Sequence, residues 1–268
     1  MSTPAAPTGR TGEPPADLDE LAVVLDRAAR EARPTGQFGA DLTVADAYQV
    51  QARSIQLRLG RGERRIGYKL GFTSRAKMAQ MGIDEVIWGR LTDAMVISDG
   101  GDAEYRRFIH PRVEPEVCFL LGEPLAGTVT SLAALRAVAG VAPALEVIDS
   151  RYRDFKFSLA DVVADNCSAA AIVVGSWADA ADVANLGLVL ELNGLPAQVG
   201  STAAILGHPV RSLVAAARLV GAAGERLEAG DLLMAGGATE AVALAPGTRV
   251  RLEVERLGSV GFNLTREG

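Results

Sequence analysis

His110-Pro-Arg-Val-Glu-Pro-Glu-Val-Cys-Phe-Leu-Leu121 reads as a strand, apolar at Val113, Val117, Phe119 and Leu121. Successive strand side chains point to opposite faces, so Glu114 and Glu116 share one face and Val113 and Val117 take the other. Neighbouring carboxylates repel, and burying them unpaired costs free energy or forces protonation. A Glu-x-Glu pair standing alone is most often the solvated face of a half-exposed strand. Here the flanks are strongly apolar, and a second apolar run, Pro143-Ala-Leu-Glu-Val-Ile-Asp149, carries another acid, Glu146. A divalent cation would resolve the conflict, and Glu114, Glu116 and Glu146 as oxygen ligands suit Mg²⁺ or Mn²⁺ better than zinc. On the residues alone, the solvated face and the metal site both remain open.

The composition bounds the function class. With 268 residues, 49% of them hydrophobic and 22% charged, the chain has the make-up of a soluble globular enzyme. A net charge of −6 argues against a nucleic-acid or anionic-membrane partner. Two cysteines, Cys118 and Cys167, make neither a disulfide framework nor a zinc pattern, which fits a reducing compartment. No apolar run reaches membrane-spanning length and the N-terminus lacks a signal-like apolar region, so a cytoplasmic location is expected.

Residues 1–16, rich in Pro, Thr, Gly and Ala, are expected to be a disordered tail. Residues 17–64 read as a helical N-terminal unit. Asp17 caps its first helix with Glu20 as a capping-box partner, Pro34-Thr35-Gly36 ends it, and Thr43 or Asp46 opens the second. Residues 65–268 read as a β-rich catalytic domain. Ile66 to Ser74 is a strand entering a turn, and Ser74 is placed to cap a helix from Arg75 to Met81. Lys69, in a mostly apolar segment, has no local acid; it is either a snorkelling surface lysine or part of a site. A helix is expected over Ser131–Ala139 and another from about Val210 to Gly221, opened by His208-Pro209. Asn193-Gly194 is a hairpin turn. Gly236-Gly237-Ala238-Thr239 after a buried strand is either an anion-holding loop or a tight turn. Val250 to Val254 and Leu257 to Gly261 close the sheet.

Dinucleotide-binding, phosphate-loop and nucleophile-elbow signatures are absent from the sequence. The two histidines, His110 and His208, each precede a proline, and His208 at a helix start reads as structural. A Ser-His-Asp triad therefore has little support, and the chemistry falls to carboxylates, lysine and metal.

With these segments laid out, the chain resembles the 2-keto-4-pentenoate hydratase/4-oxalocrotonate decarboxylase family of the fumarylacetoacetate hydrolase superfamily. The resemblance runs from about residue 18 to residue 264. It is carried by Gly67-Tyr-Lys-Leu-Gly-Phe-Thr-Ser74, Pro111-Arg-Val-Glu-Pro-Glu116, Pro143-Ala-Leu-Glu-Val-Ile-Asp-Ser-Arg151 and Val163-Ala-Asp-Asn-Cys-Ser168, with Gly207-His-Pro209 and Met234-Ala-Gly-Gly237. Pro115 and Cys167 stand where small alanine-like residues are common, and neither touches the ligand set. Ser74 to Gly82, Ile87 to Met95 and His110-Pro-Arg112 look more like the decarboxylase branch than the hydratase branch.

The resemblance implies an α+β fold: a mixed β-rich core with peripheral helices and a small helical N-terminal part. It implies Mg²⁺ or Mn²⁺ on Glu114, Glu116 and Glu146. The implied reaction is decarboxylation of 2-oxo-3-hexenedioate to 2-hydroxypenta-2,4-dienoate and CO2, a step in meta-cleavage degradation of aromatic compounds. Lys69, Asp84 and Lys156 are the candidate catalytic residues, and Ser74, Ser168 and Thr239 the candidate substrate contacts. Arg151, after Asp149, is expected to form a structural ion pair. A homo-oligomer and a complex with the pathway hydratase are the implied assemblies. The alternatives are a hydratase using the same site, or a non-catalytic partner subunit of the decarboxylase–hydratase complex.

Overall fold

A computed structural model describes residues 17–39, 41–74, 78, 85–179 and 182–266. The expectations for residues 1–16, for most of the helix after Ser74 and for Asp84 lie outside this set. Among the described residues, no helix is long and apolar enough to cross a membrane.

Two helices lead the chain, α1 (Leu18–Glu31) and α2 (Val44–Gly60). Asp17 caps α1 by accepting from the Asp19 N–H (2.9 Å), one residue short of the box expected with Glu20. Thr43 caps α2 by accepting from the Asp46 N–H (3.1 Å), and its hydroxyl donates back to the Asp46 carboxylate (2.6 Å). The first strands are β1 (Arg65–Gly71), β2 (Ile87–Thr92), β3 (Val96–Ile97) and β4 (Asp102–Glu104). Two long strands follow, β5 (Arg112–Leu121) and β6 (Val138–Ile148). Between them lies α3 (Ser131–Arg136), three residues shorter than expected because the strand β6 already begins at Val138, which pairs with Leu121. Then come α4 (Leu159–Ala164), β7 (Ala169–Val174), β8 (Gly187–Leu192), β9 (Leu195–Ser201) and α5 (Val210–Ala222). The chain closes with β10 (Leu232–Met234), β11 (Val242–Ala243), β12 (Arg249–Val254) and β13 (Gly258–Thr265).

Among the described residues the strands make two sheets rather than one. The larger has eight strands in the order β2-β1-β10-β5-β6-β7-β3, with β11 alongside β5. The smaller has five, β4-β13-β12-β8-β9, so the C-terminal strands expected to close a single sheet belong to a second one. The β8–β9 turn is Asn193-Gly194, both with positive φ (55° and 79°), as a tight hairpin requires. Strands β12 and β13 pack across β6. The main core includes Val113, Val117, Phe119 and Leu121 of β5 with Leu190, Val250, Leu252, Val260 and Phe262 of the small sheet.

That packing uses one face of β5. The other carries Arg112, Glu114, Glu116 and Cys118, and strict alternation prevents the two sets from mixing. The N-terminal helices form a second cluster in which Leu25, Ala47 and Val50 meet Tyr152, Val163 and Cys167. Gln51 of α2 fastens them to the strands: its fully buried amide donates to the carbonyls of Trp88 (3.1 Å) and Val163 (2.8 Å) and accepts from Arg90 Nη1 (2.6 Å).

Candidate metal centre

Strands β5 and β6 pair antiparallel with Glu114 directly opposite Glu146 and Glu116 opposite Ala144. Cross-strand partners stand on the same face, so the three carboxylates converge. One oxygen from each of Glu114, Glu116 and Glu146 lies within 4.8 Å of the others. Glu116 and Glu146 are 0% exposed, while Glu114 is half-buried at the rim. This excludes the solvated-face reading.

Lys69 of β1 is 2% exposed, so it is not a snorkelling surface lysine. Its Nζ lies 3.0 Å from Glu146 Oε2 and donates to the Cys167 carbonyl (3.1 Å). The Gly236 N–H donates to Glu116 Oε2 (2.8 Å), so the Gly-Gly loop holds an anion that belongs to the protein itself. Gly236 (φ 106°) also lies against Thr73, where an added Cβ would sit 2.3 Å from the threonine hydroxyl oxygen.

Among the described residues, Lys69 is the ammonium at this cluster, paired directly with Glu146. Burial, reinforced by Glu146 and Glu114, drives the Glu116 carboxyl well above the usual range. Burial also pushes Glu146 up, to about 7, with Lys69 opposing. For Lys69 burial works against the charged form, but Glu146, Cys167 and the other two glutamates outweigh it and hold the ammonium above the ordinary lysine range. Among the described residues, the buried Glu116 Oε1 and Glu146 Oε1 have no hydrogen-bond partner. An all-oxygen, over-negative cluster with free lone pairs fits a hard divalent cation.

The turn Asn166-Cys167-Ser168 supplies the back wall. All three residues are left-handed (φ 49°, 52° and 58°), a costly run for non-glycine residues that persists only where the surroundings impose it. The Asn166 amide accepts from the Arg90 N–H (2.8 Å) and donates to the Arg90 carbonyl (2.8 Å), and the Cys167 thiol donates to the Trp88 carbonyl (3.0 Å). Ser168 is buried, and among the described residues its hydroxyl has no partner. Thr239 is half-buried in the loop that follows Gly237, and an added Cβ on Gly237 would meet the Glu114 carboxylate at 3.0 Å. Ser74, half-buried, follows Thr73 at the same loop.

The structure therefore brings Lys69 and the three glutamates together, with Ser168 adjoining and Ser74 and Thr239 beside the Gly-Gly loop. Asp84 lies outside the described residues. Lys156 is exposed at the end of a short turn, and among the described residues no contact joins it to the cluster. Arg151 is a structural ion pair, but its partner is Asp165; Asp149 instead accepts from the N–H groups of Ile109 (2.7 Å) and His110 (2.8 Å). His208 is structural as expected, its Nδ1 accepting from the Val210 N–H (3.1 Å). One contributor escaped sequence reasoning, the Cys167 carbonyl, a main-chain group that leaves no side-chain signature; the Gly236 amide belongs to the loop for which the sequence left an anion-holding role open.

The chain belongs to the fumarylacetoacetate hydrolase C-terminal family, whose model matches residues 69–265. It is 54% identical over 253 residues to a 4-oxalocrotonate decarboxylase of a Pseudomonas species, covering 93% of this chain and 99% of the relative. The 2-hydroxyhexa-2,4-dienoate hydratase of Comamonas testosteroni is more distant, 34% identical over 89% of this chain and 93% of its own. Among solved structures, the 4-oxalocrotonate decarboxylase from Pseudomonas putida G7, complexed with magnesium and adipate, superposes with a TM-score of 0.89 at 37% identity, covering 93% of this chain and 97% of its own.

Proposed function

We propose that the protein is a magnesium-dependent 4-oxalocrotonate decarboxylase, converting 2-oxo-3-hexenedioate to 2-hydroxypenta-2,4-dienoate and CO2. The observation that carries this reading is the buried Glu114–Glu116–Glu146 cluster facing Lys69, in a chain 54% identical to a 4-oxalocrotonate decarboxylase. In this reaction the bond to the remote carboxylate breaks and its electron pair passes along the conjugated chain to the 2-oxo oxygen, which takes up a proton. The three glutamates hold the ion, and a divalent cation bound there supplies Lewis-acid stabilisation of the developing negative charge.

Lys69 keeps its proton at Nζ because the carboxylates around it favour the charged form. It therefore acts as a fixed positive charge at the site, anchored by the Cys167 carbonyl, and stabilises the developing enolate. The unpartnered Ser168 hydroxyl beside it is a contact for the substrate's 2-oxo acid end or for water. Ser74 and Thr239 complete the rim, and Asp84 is the proposed partner of Lys69. Lys156, exposed and apart from the cluster, is a weaker candidate. The helical unit 17–64 is an integral support of the site rather than an independent domain, a reading supported by the three hydrogen bonds of Gln51. A homo-oligomer in the cytoplasm, working beside the hydratase that consumes its product, completes the proposal.

The test offers the purified protein 2-oxo-3-hexenedioate and 2-hydroxypenta-2,4-dienoate separately, each with Mg²⁺ and with excess chelator. Metal-dependent CO2 release from the first, with the second left intact, is expected. Consumption of the second without CO2 from the first would make the protein a hydratase.

A further inference from the structure

The substrate-bearing face of β5 does not end at Glu114. Arg112 lies two residues back on the same face, opposite Ile148 of β6 and Ala243 of β11. A strand rise of about 3.4 Å per residue places its Cα about 7 Å from that of Glu114. Along this face Glu116 and Glu146 are fully buried, whereas Glu114, Ile148 and Arg112 are half-buried, so the row runs from the floor of the site to its mouth.

Arg112 is an unusual arginine for such a place. Among the described residues its guanidinium has no carboxylate or hydrogen-bond partner; it rests on the Phe155 ring, 4.2 Å from the centroid. Most of the other arginines at comparable depth are paired: Arg65 with Asp231, Arg90 with Glu225 and Arg151 with Asp165. The Phe155 ring is placed by a strained turn, with Asp154 and Phe155 both left-handed (φ 59° and 57°). The same ring carries His110 at 5.1 Å, and among the described residues the buried His110 Nε2 has no hydrogen-bond partner. His110 is fixed from behind by the bond from its N–H to Asp149 (2.8 Å). One aromatic ring thus contacts both a cation unpaired among the described residues and an imidazole with an unsatisfied nitrogen, at one end of the row of carboxylates.

We infer that Arg112, backed by Phe155 and joined by His110, forms the subsite for the remote carboxylate of a linear dicarboxylate whose 2-oxo acid end is held at the glutamate cluster. The inference rests on the proposed decarboxylase reading and deepens it. The planar guanidinium suits a carboxylate, and stacking on Phe155 strips part of its hydration and fixes its plane. The spacing suits a six-carbon chain, with four carbons between the two carboxylates. The subsite also separates substrate from product, since 2-hydroxypenta-2,4-dienoate lacks that second carboxylate. A carboxylate must shed its charge to leave as CO2, so a cation there favours the bound substrate more than the transition state. Arg112 is therefore a specificity residue, and its loss falls on KM more than on kcat.

The test measures binding without turnover. The Mg²⁺-loaded protein is titrated calorimetrically with 2-oxohexanedioate and with 2-oxohexanoate, saturated compounds that share the 2-oxo acid end and differ in the remote carboxylate. The wild type is expected to prefer the dicarboxylate, and Arg112→Met to lose that preference by roughly 10- to 100-fold, the scale of one charge-assisted pair. Binding of 2-oxohexanoate stays unchanged, which also shows that the variant is folded. Arg112→Lys, which keeps the charge but not the fork, falls between. Retention of the dicarboxylate preference in Arg112→Met overturns the subsite and leaves the decarboxylase reading intact. Equal binding of both compounds by the wild type overturns it as well. If neither compound binds in the presence of Mg²⁺, the decarboxylase reading fails and the subsite falls with it.

Discussion

Two buried charged centres lie close together in this protein, and they are built on opposite principles. At Arg151–Asp165 the guanidinium meets the Asp165 carboxylate and main-chain carbonyl and donates to the Ala169 carbonyl (3.0 Å), while the Arg151 N–H donates to the second carboxylate oxygen (2.9 Å). Charge is balanced and both partners are saturated. At the glutamate cluster Lys69 pairs directly with Glu146, and among the described residues Glu116 Oε1 and Glu146 Oε1 find no donor. A balanced pair holds the fold in one arrangement; an imbalance sustained by the surrounding packing is a site awaiting a ligand.

The comparison is broken most severely from the glutamate side. Glu114→Gln is expected to remove metal-dependent CO2 release almost entirely, on the order of 10³-fold in kcat/KM if the ion supplies several kcal/mol. Because Glu114 is half-buried and the amide has nearly the same shape, the melting temperature without metal should change little. Full activity in that variant would remove the ion from the mechanism. Arg151→Met should do the reverse. Removing one partner of a buried pair leaves Asp165 uncompensated, at a cost of about 3–5 kcal/mol. Denaturant unfolding should record that loss, and Mg²⁺ affinity of the folded fraction should stay near wild type.

Magnesium itself distinguishes the two centres. A ligand that binds only the native state at 100 times its dissociation constant stabilises by about 2.7 kcal/mol, so Mg²⁺ should raise the melting temperature and excess chelator should reverse it. That increment should depend on pH in one direction. The Glu146 carboxyl is pushed up to about 7 by burial, and Glu116 is raised by burial and its two acidic neighbours. Below that range the ion must displace protons, and each pH unit lowers its apparent affinity by about tenfold per proton displaced. Binding isotherms between pH 5.5 and 8 should tighten as pH rises and then level off. An affinity that is flat over that interval would mean the cluster is already ionised without metal.

How much of this was legible in the residues differs between the same two centres. The alternation of Val113, Glu114, Pro115, Glu116 and Val117 is enough to place the two glutamates on one face, and the apolar run around Glu146 supplies the third. Period-2 patterning is local, so it reads well. Lys69 was ambiguous because its partners come from β6 and from Cys167, 98 residues further on. Arg151 reads as an ion-pairing residue, but its partner is not legible locally: the turn through Asn166 brings Asp165 back to it. The second sheet was missed for a related reason, since alternation tells which face is buried but not which sheet a strand joins. Arg112 could have been seen: the spacing that unites Glu114 and Glu116 extends one step further to it.

The smallest expected effect lies between the two centres, at Gly89. On β2 it faces the left-handed turn so closely that an added Cβ would stand 2.8 Å from the Asn166 carbonyl oxygen and 2.9 Å from its amide oxygen. These are main-chain and hydrogen-bonded atoms, so the turn rather than a free side chain must give way. Gly89→Ala should cost about 1–3 kcal/mol of stability, as overpacking does. Its effect on catalysis follows from what the turn holds. Displacing Asn166 moves the Cys167 carbonyl that anchors Lys69, but leaves Glu114, Glu116 and Glu146 on β5 and β6 where they are. Mg²⁺ affinity should therefore be retained while kcat falls, by about tenfold for a loss of 1.4 kcal/mol in the transition state. If Mg²⁺ affinity falls along with kcat, the turn supports the carboxylates as well as the lysine, and the two cannot be treated as separately built.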